Sequence, residues 1–558
     1  MRMRFAVASA LAQTIGGPLA QTLAPAMMAL ACGATLLVCA PVAAAQSQQG
    51  PCEVAGTVVR AGDSAPLRGA TVMLAAIGRR ADPVMVRTDA NGRFAFGDVA
   101  PGSYRLVVER TGFARQEYGQ RAIARRGVAL TLAPGQRLTD LLFRMIPAGV
   151  ITGQVFDEAG EPVVGATVSV LRRFYREGEP AFEQREADRS DDRGHYRIFN
   201  LPPGKYIVGA VAGPGGRRRG QAESGDESYV PTYYPGVVDP DDAVPLEVEP
   251  GQEVSSIDFT LLPQRTVSVR GRVVSSGPIK GNTQVMLLPA SGRAFSRGRT
   301  RQGRVQPDGS FEIEGVPPGA YMLAAMQHDE NATAYARESL EVSSSDVEGI
   351  TLALTPNGSL SGRVIAEGGV LPEARIIVTL RSPDRLARGG SARAQPDGAF
   401  QIRNVAAGEY QLVVSGAPAD YYLKSVRRGN EEFLDRELPV LRDVTGLQLV
   451  LSPSGGRVEG QVLSDENLPA SGVTVVLVPE RQFRDQRSRY RTATTDATGR
   501  FTVRGIRPGD YTVFSWDNDE GEVWMDPSFL ATFEGQGQKV SLSEGGAQTV
   551  QLTLLAGS

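Results

Sequence analysis

Histidine, tryptophan and cysteine are scarce in this chain, with two His, two Trp and three Cys among 558 residues. A hydrolytic zinc site built on a His with a Glu three places later is excluded, because Ile198 follows His195 at that distance and Asn331 follows His328. His195 reads as a surface residue. Two of the cysteines, Cys32 and Cys39, precede the triple alanine at residues 43–45, which leaves Cys52 alone and without an intrachain disulfide partner once that segment is removed. No Gly-x-Ser-x-Gly elbow, phosphate-binding loop or Cys pair occurs. Charge of one sign is lacking too: 59 Lys and Arg against 62 Asp and Glu leave no global basic field to hold nucleic acid. Nor is there an apolar run of membrane-spanning length. The longest, Ala26 to Ala40, has 15 residues and is interrupted by Gly33, against the roughly 18 or more that a span needs.

That run has the form of an export leader. Arg2 and Arg4 precede it, no acidic residue occurs before Gln46, and Ala43-Ala44-Ala45 offers a small-residue cleavage site. The n-region, Phe5 to Pro25, is long for a leader, and the residues before Cys32 lack the Leu usual three places ahead of a lipidated cysteine. Residues 1–45 are therefore expected to be a cleaved signal peptide, with no membrane span afterwards.

What the chain has in abundance is glycine, 64 residues, and proline, 36, the punctuation of an all-β protein. Both recur in register. Gly499 to Tyr511 reads GRFTVRGIRPGDY, and Gly92 to Tyr104, Gly194 to Tyr206, Gly309 to Tyr321 and Gly398 to Tyr410 fit the same template, each Gly 12 residues before its Tyr. Two residues after the Gly stands an aromatic (Phe94, Tyr196, Phe311, Phe400, Phe501), and two further an apolar residue (Phe96, Ile198, Ile313, Ile402, Val503). This period of two predicts a strand with one buried face. Turn chemistry such as Asp89-Ala-Asn-Gly92 or Pro307-Asp-Gly309 precedes it and suggests a hairpin. Pro-Gly follows it in four copies and Ala407-Gly408 in the other, which suits a type II turn. The five Tyr read as buried rings whose hydroxyls tie down that turn, as in the tyrosine corner of Greek-key sandwiches, rather than as a ladder of ligand contacts.

A second signature, apolar-x-Gly-x-Val, stands at Val54-Gly56-Val58, Ile151-Gly153-Val155, Val269-Gly271-Val273, Leu360-Gly362-Val364 and Val458-Gly460-Val462. Glycine on the buried face of a strand implies close approach of another backbone or ring. Successive glycines are 97, 118, 91 and 98 residues apart, one small domain each. The expected fold is thus all-β: after the signal peptide, five tandem seven-stranded Greek-key β-sandwiches at 53–146, 148–262 with an inserted loop at 213–242, 266–354, 358–452 and 455–556. The short linkers Ile146-Pro147, Pro263-Gln264, Thr355-Pro356 and Ser452-Pro453 suggest an extended rod.

The opening Gly-x-Val, the strand Gly-Ala-Thr-Val at Gly69 and Gly165, and the Asp-x-x-Gly-x-Phe template ending in Pro-Gly-x-Tyr resemble the carboxypeptidase regulatory-like domain. The resemblance covers nearly all of residues 53–555, more strongly in units 1, 2 and 5. It implies a transthyretin-like (prealbumin-like) sandwich, grouped with carbohydrate-binding-like folds, in an envelope or secreted protein. It does not imply peptidase activity, and no cofactor is expected.

Three stretches stand outside the repeat as binding candidates. The unit 2 insertion holds Arg217-Arg218-Arg219 and the rings Tyr229, Tyr233 and Tyr234 beside prolines, and could stack on a sugar or pack as an ordinary loop. In unit 5, Trp516 and Trp524 flank Asp517, Asp519, Glu520 and Glu522; aromatic and carboxylate together suit a sugar, and Asp517, Asp519 and Glu522 are weak candidates for a cation, against a solvated hairpin loop. The basic run Arg481 to Arg491 reads as a solvated loop. These residues point to an exported, non-catalytic binding or scaffold protein of the cell envelope (periplasmic, outer-membrane-associated or extracellular), with a polysaccharide or an envelope protein as partner. A structural or adhesive rod and an exported hydrolase with an unrecognised site are the alternatives. Export is expected to leave Gln46 as the mature terminus, and the intact mass of secreted protein checks this; a mass that retains residues 1–45 would refute it.

Overall fold

The structure, a computed structural model, describes residues 50–556 apart from 79–80, 121–126, 213–226, 291–299, 329–332, 373, 383–388 and 518–520. The expected signal peptide, the three arginines of the unit 2 insertion, and Asp519 and Glu520 lie outside the described residues. Five core clusters follow one another along the chain, spanning Cys52 to Met145, Ile151 to Leu261, Val267 to Leu354, Leu360 to Leu451 and Val458 to Leu552. Around four of them strands form two facing sheets. In the first unit a three-stranded sheet (Arg93–Val99, Cys52–Arg60, Arg137–Met145) faces one built on Val84–Arg87, Thr71–Ala76 and Gly102–Glu109. The opening strand pairs antiparallel with the template strand and parallel with the closing strand.

The glycine of the opening strand explains why this pattern recurs. A Cβ on Gly56 would lie 2.2 Å from the carbonyl oxygen of Leu141 in the closing strand. On Gly153, Gly271, Gly362 and Gly460 it would lie 2.0, 2.6, 2.3 and 2.2 Å from the matching carbonyls of Ile257, Ile350, Leu447 and Val550. The template aromatic closes the other side, Phe501 within 2.9 Å of that position on Gly460. Phe94, Tyr196, Phe311, Phe400 and Phe501 are all buried. Tyr196 also donates its hydroxyl to the Ile257 carbonyl at 2.6 Å, and burial, then the Asp258 carboxylate, pushes its pKa up.

The template turn works as its residues imply. Gly92, Gly194, Gly309, Gly398 and Gly499 have φ between 72° and 87°, and each carbonyl accepts from the opening strand, at Val58, Val155, Val273, Val364 and Val462, at 2.8 to 2.9 Å. Among the described residues a hairpin forms at this turn only in the third unit, where Arg301–Val305 pairs with both Ser310–Val316 and Gln284–Pro289 and merges the sheets into one of eight strands. Gly303 permits this, because a Cβ there would meet Ile313 at 2.7 Å. In the other units the turn instead carries the chain from one sheet to the facing one. The type II turn expected at Pro-Gly also gives way: Gly102, Gly204, Gly319 and Gly509 have φ of 146° to 155°, far from the roughly +80° such a turn needs, and each opens the next strand.

The five tyrosines behave alike. Tyr104, Tyr206, Tyr321, Tyr410 and Tyr511 each donate the hydroxyl to the carbonyl four residues earlier, at 2.5 to 2.9 Å. All but Tyr104 are buried. The seventh template position adds a further feature: Asp98, Asn200, Gly315, Asn404 and Gly505 all have positive φ, 54° to 69°. Near it the pairing with the opening strand shifts register, as a β-bulge does. Tyr511→Ala is expected to lower stability by about 3 to 5 kcal/mol, whereas Tyr511→Phe, losing one hydrogen bond, should cost about 1 kcal/mol. Denaturant unfolding followed by tryptophan fluorescence reads this unit, because both tryptophans of the chain lie in it; equal losses would deny the ring its core role.

Candidate functional site

The side chains outside the repeat fall into two groups, those that thicken units 2 and 5 and those that join units together. In unit 2, Tyr233 is buried with Leu171, Phe182, Ile207 and Ala243 in a second small core on the outer face of the five-stranded sheet. In unit 5, Trp516 does the same with Val476, Val478, Tyr490, Phe514, Leu530 and Phe533. Trp516 stacks on Phe514 at 4.8 Å between centroids, and meets Phe529 and Phe533 in T-shaped contacts with centroids 5.4 and 5.6 Å away. The two phenylalanines come from a short helix, Pro527–Phe533, whose N-cap Asp526 accepts from the Ser528 amide. The expectation that Tyr233 and Trp516 offer open rings is thereby corrected: their faces are covered by their own unit. Tyr229, Tyr234 and Trp524 are half-buried, and the Tyr229 hydroxyl donates to Glu158 at 2.9 Å.

Neither acidic loop nor basic run is solvated in the way their composition suggests. Glu522 accepts the backbone N–H of Glu177 at 2.9 Å, and its own N–H donates to the Tyr175 carbonyl at 3.0 Å. Arg487, in the basic run, pairs through one nitrogen with Glu177 and through the other with Glu522 at 2.5 Å. Glu177 and Gly178 form the tip of a hairpin between Thr167–Arg176 and Glu179–Arg189, with φ of 58° and 78°, the two-residue turn whose twist suits a hairpin. Gly178 is required twice over, because a Cβ would lie 2.8 Å from the Met525 carbonyl group. Unit 2 is therefore docked on unit 5, and the extended rod expected from the proline linkers gives way to a chain that folds back on itself. Asp517 is exposed. Among the described residues no group of three or more His, Cys, Asp or Glu is placed to hold a metal ion. His195 is exposed, its ring 3.2 Å from the Gln154 amide.

The junctions between successive units are built similarly. Gly112 of unit 1 donates to the Asn200 side chain of unit 2 at 2.8 Å, and Asn357 donates to the Asn404 carbonyl at 3.1 Å, so two bulge residues serve as joints. A third, Gly505, admits no Cβ because the carbonyls of Ala419 and Tyr421 in unit 4 would each lie 2.6 Å from it. Asp435 of unit 4 receives Arg489 at 2.8 Å and Arg507 at 2.7 Å. On the other side of that junction Lys424 bonds Glu367 at 2.7 Å and Glu544 at 2.9 Å, and Glu544 also accepts from Tyr422 and Ser452 at 3.0 Å. The linkers are paired as well: Pro263–Arg265 with Glu227–Tyr229, and Thr355–Pro356 with Ala334 and Tyr335.

Where the hairpin of unit 2 meets units 4 and 5 a cavity of about 620 Å3 remains, lined among others by Glu177, Arg381, Asp435, Asp485, Arg487 and Arg491.

Three stretches, residues 53–145, 150–261 and 457–518, match the family profile described as the carboxypeptidase regulatory-like domain. No curated protein matches the sequence. Solved structures with some likeness include the Bacillus anthracis TIE protein (13% identical, covering 69% of this chain and 68% of that one, TM-score 0.14). Others are GBS52, the minor pilin of Streptococcus agalactiae (12%, 38% and 95%, TM-score 0.22), and BcpA, the major pilin subunit of Bacillus cereus (12%, 55% and 100%, TM-score 0.15). Scores this low do not describe a shared arrangement of whole chains.

The Lys424 ammonium holds the carboxyls of Glu367 and Glu544 below the usual carboxylate range. A carboxyl with a depressed folded pKa stabilises above its ordinary value, here 4.5, and that contribution is lost as pH falls through the lowered one. The junction of units 4 and 5 is thus expected to loosen on acidification below about pH 4.5. Limited proteolysis near Ser452-Pro453 across that window measures it, and Lys424→Ala should flatten the dependence.

Proposed function

Since the chain carries carboxypeptidase regulatory-like domains in tandem, we propose that it is an exported, non-catalytic scaffold of the cell envelope whose units are held in one fixed arrangement. The observation that carries this reading is the use made of the residues that depart from the repeat. Glu177, Arg487 and Glu522 dock unit 2 on unit 5, while Asp435 with Arg489 and Arg507, and Lys424 with Glu367 and Glu544, join units 4 and 5. An isolated surface ion pair is worth about 0 to 1 kcal/mol. Here several are networked and accompanied by backbone contacts that only glycine permits, which favours a fixed geometry over a string of free beads. In this reading residues 53–146, 148–262, 266–354, 358–452 and 455–556 are the domains, residues 1–45 direct export, and the partner is an envelope protein or polysaccharide. The polysaccharide part rests on the half-buried rings of Tyr229, Tyr234 and Trp524.

Small-angle scattering on the intact chain tests the arrangement. Glu177→Lys, which sets a cation against Arg487 and Arg381, is expected to raise the radius of gyration and expose new protease sites. An unchanged profile would mean that the docking does not hold the units. Incubation of the same protein with chromogenic ester, peptide and glycoside panels tests the absence of catalysis. Turnover that copurifies with the chain would make it a hydrolase instead.

A further inference from the structure

The cavity between units 2, 4 and 5 contains a cation that the scaffold does not use. Arg491 is half-buried, and its Nη1 donates to the carbonyls of Ser488 and Tyr490 at 2.7 and 2.9 Å. Among the described residues no carboxylate pairs with it. The other arginines at or beside the cavity are all matched. Arg381 and Arg487 share Glu177, at 3.6 Å for Arg381, and Arg487 holds Glu522 as well. Arg489 and Arg507 share Asp435. Burial pulls the Arg491 pKa down, against an opposite effect of the Tyr511 hydroxyl and with a smaller one of the same sign from the Arg507 guanidinium. A buried guanidinium without a counter-charge is costly, and a bound anion removes that cost.

Charge and lining narrow the class of anion. Among the described residues, Arg381, Arg487 and Arg491 balance Glu177, Asp435 and Asp485 on the wall itself, and the pairing partners Arg489, Arg507 and Glu522 behind it bring the count to five against four, a surplus of one positive charge. A monoanion fits that surplus, whereas a phosphate dianion would also meet four carboxylates. The guanidinium fork suits a carboxylate. Gln411 and Gln486 on the wall offer amides to hydroxyl groups, and Leu412, Leu434 and Met525 offer apolar surface. The volume, about 620 Å3, lies within the range of small-ligand sites, roughly 300 to 1,000 Å3.

We infer that this cavity binds a hydroxylated carboxylate of the uronic-acid type, with Arg491 receiving the carboxylate and Arg381 guarding the rim. The site exists only while unit 2 is docked, so the inference rests on the fixed arrangement proposed above.

Calorimetric titration of the mature full-length chain with galacturonate, galactose and inorganic phosphate tests it, with scattering recorded on the same samples. Saturable 1:1 binding of galacturonate, with galactose and phosphate much weaker, is expected. Arg491→Gln should weaken it about tenfold or more. Arg381→Gln, at a half-exposed position whose loss does not threaten the fold, should weaken it several-fold. The site is overturned if phosphate binds and galacturonate does not, if both variants bind as the parent does at unchanged melting temperature, or if no ligand binds while scattering reports the docked arrangement. Scattering from an undocked chain that binds nothing would overturn the arrangement and the site together.

Discussion

Each unit of this protein depends on one crossing of backbones. The opening strand runs parallel to the closing strand so closely that the carbonyl of the latter occupies the place of a side chain, 2.0 to 2.6 Å from where a Cβ would stand. Only glycine satisfies this, and the ring of the template aromatic then seals the other side. The turn glycine, the positive-φ bulge and the tyrosine hydroxyl bond all follow from holding the template strand against that crossing. They fix where the opening strand ends, where it shifts register, and how the chain passes to the facing sheet.

Outside the crossing, the units differ where they touch one another. Units 2 and 5, which meet through the hairpin tip, are also the two that carry a second core on the outer face of a sheet. The docking surfaces thus stand on sheets that are covered on both faces. The ion pairs at the contacts set which groups face each other, while Gly178, Gly455 and Gly505 allow backbones to approach to distances that any side chain would forbid.

The repeated part of the fold was legible because it recurs within one chain: the glycines, the aromatic and the tyrosine each make the same contact five times. Units 3 and 4, outside the stretches that match the family profile, keep those contacts. The bulge was legible too, as Asp, Asn, Gly, Asn and Gly at one position are the residues that tolerate left-handed backbone, yet it was passed over beside stronger signals. The docking was not legible. Arg487 and Glu177 stand 310 residues apart, and each has the composition of a solvated loop. Trp516 and Tyr233 were misread for a related reason. Next to charged residues an aromatic looks like an exposed platform, but the strand bearing Trp516 packs on the core of its unit by one face and under Pro527–Phe533, which lies outside the repeat, by the other.

The hairpin tip has a consequence for how the protein is made. A contact closing over some 310 to 345 residues is formed only when the last unit has left the ribosome, whereas the unit that bears the tip can fold as soon as its own sequence has emerged, since domains generally fold as units in order of synthesis. For the whole interval the tip waits without its counterpart. Glu177 and Gly178 meet that interval with a tight, charged, two-residue turn already shaped before its partner exists, so assembly is a late joining of finished parts rather than a mutual folding.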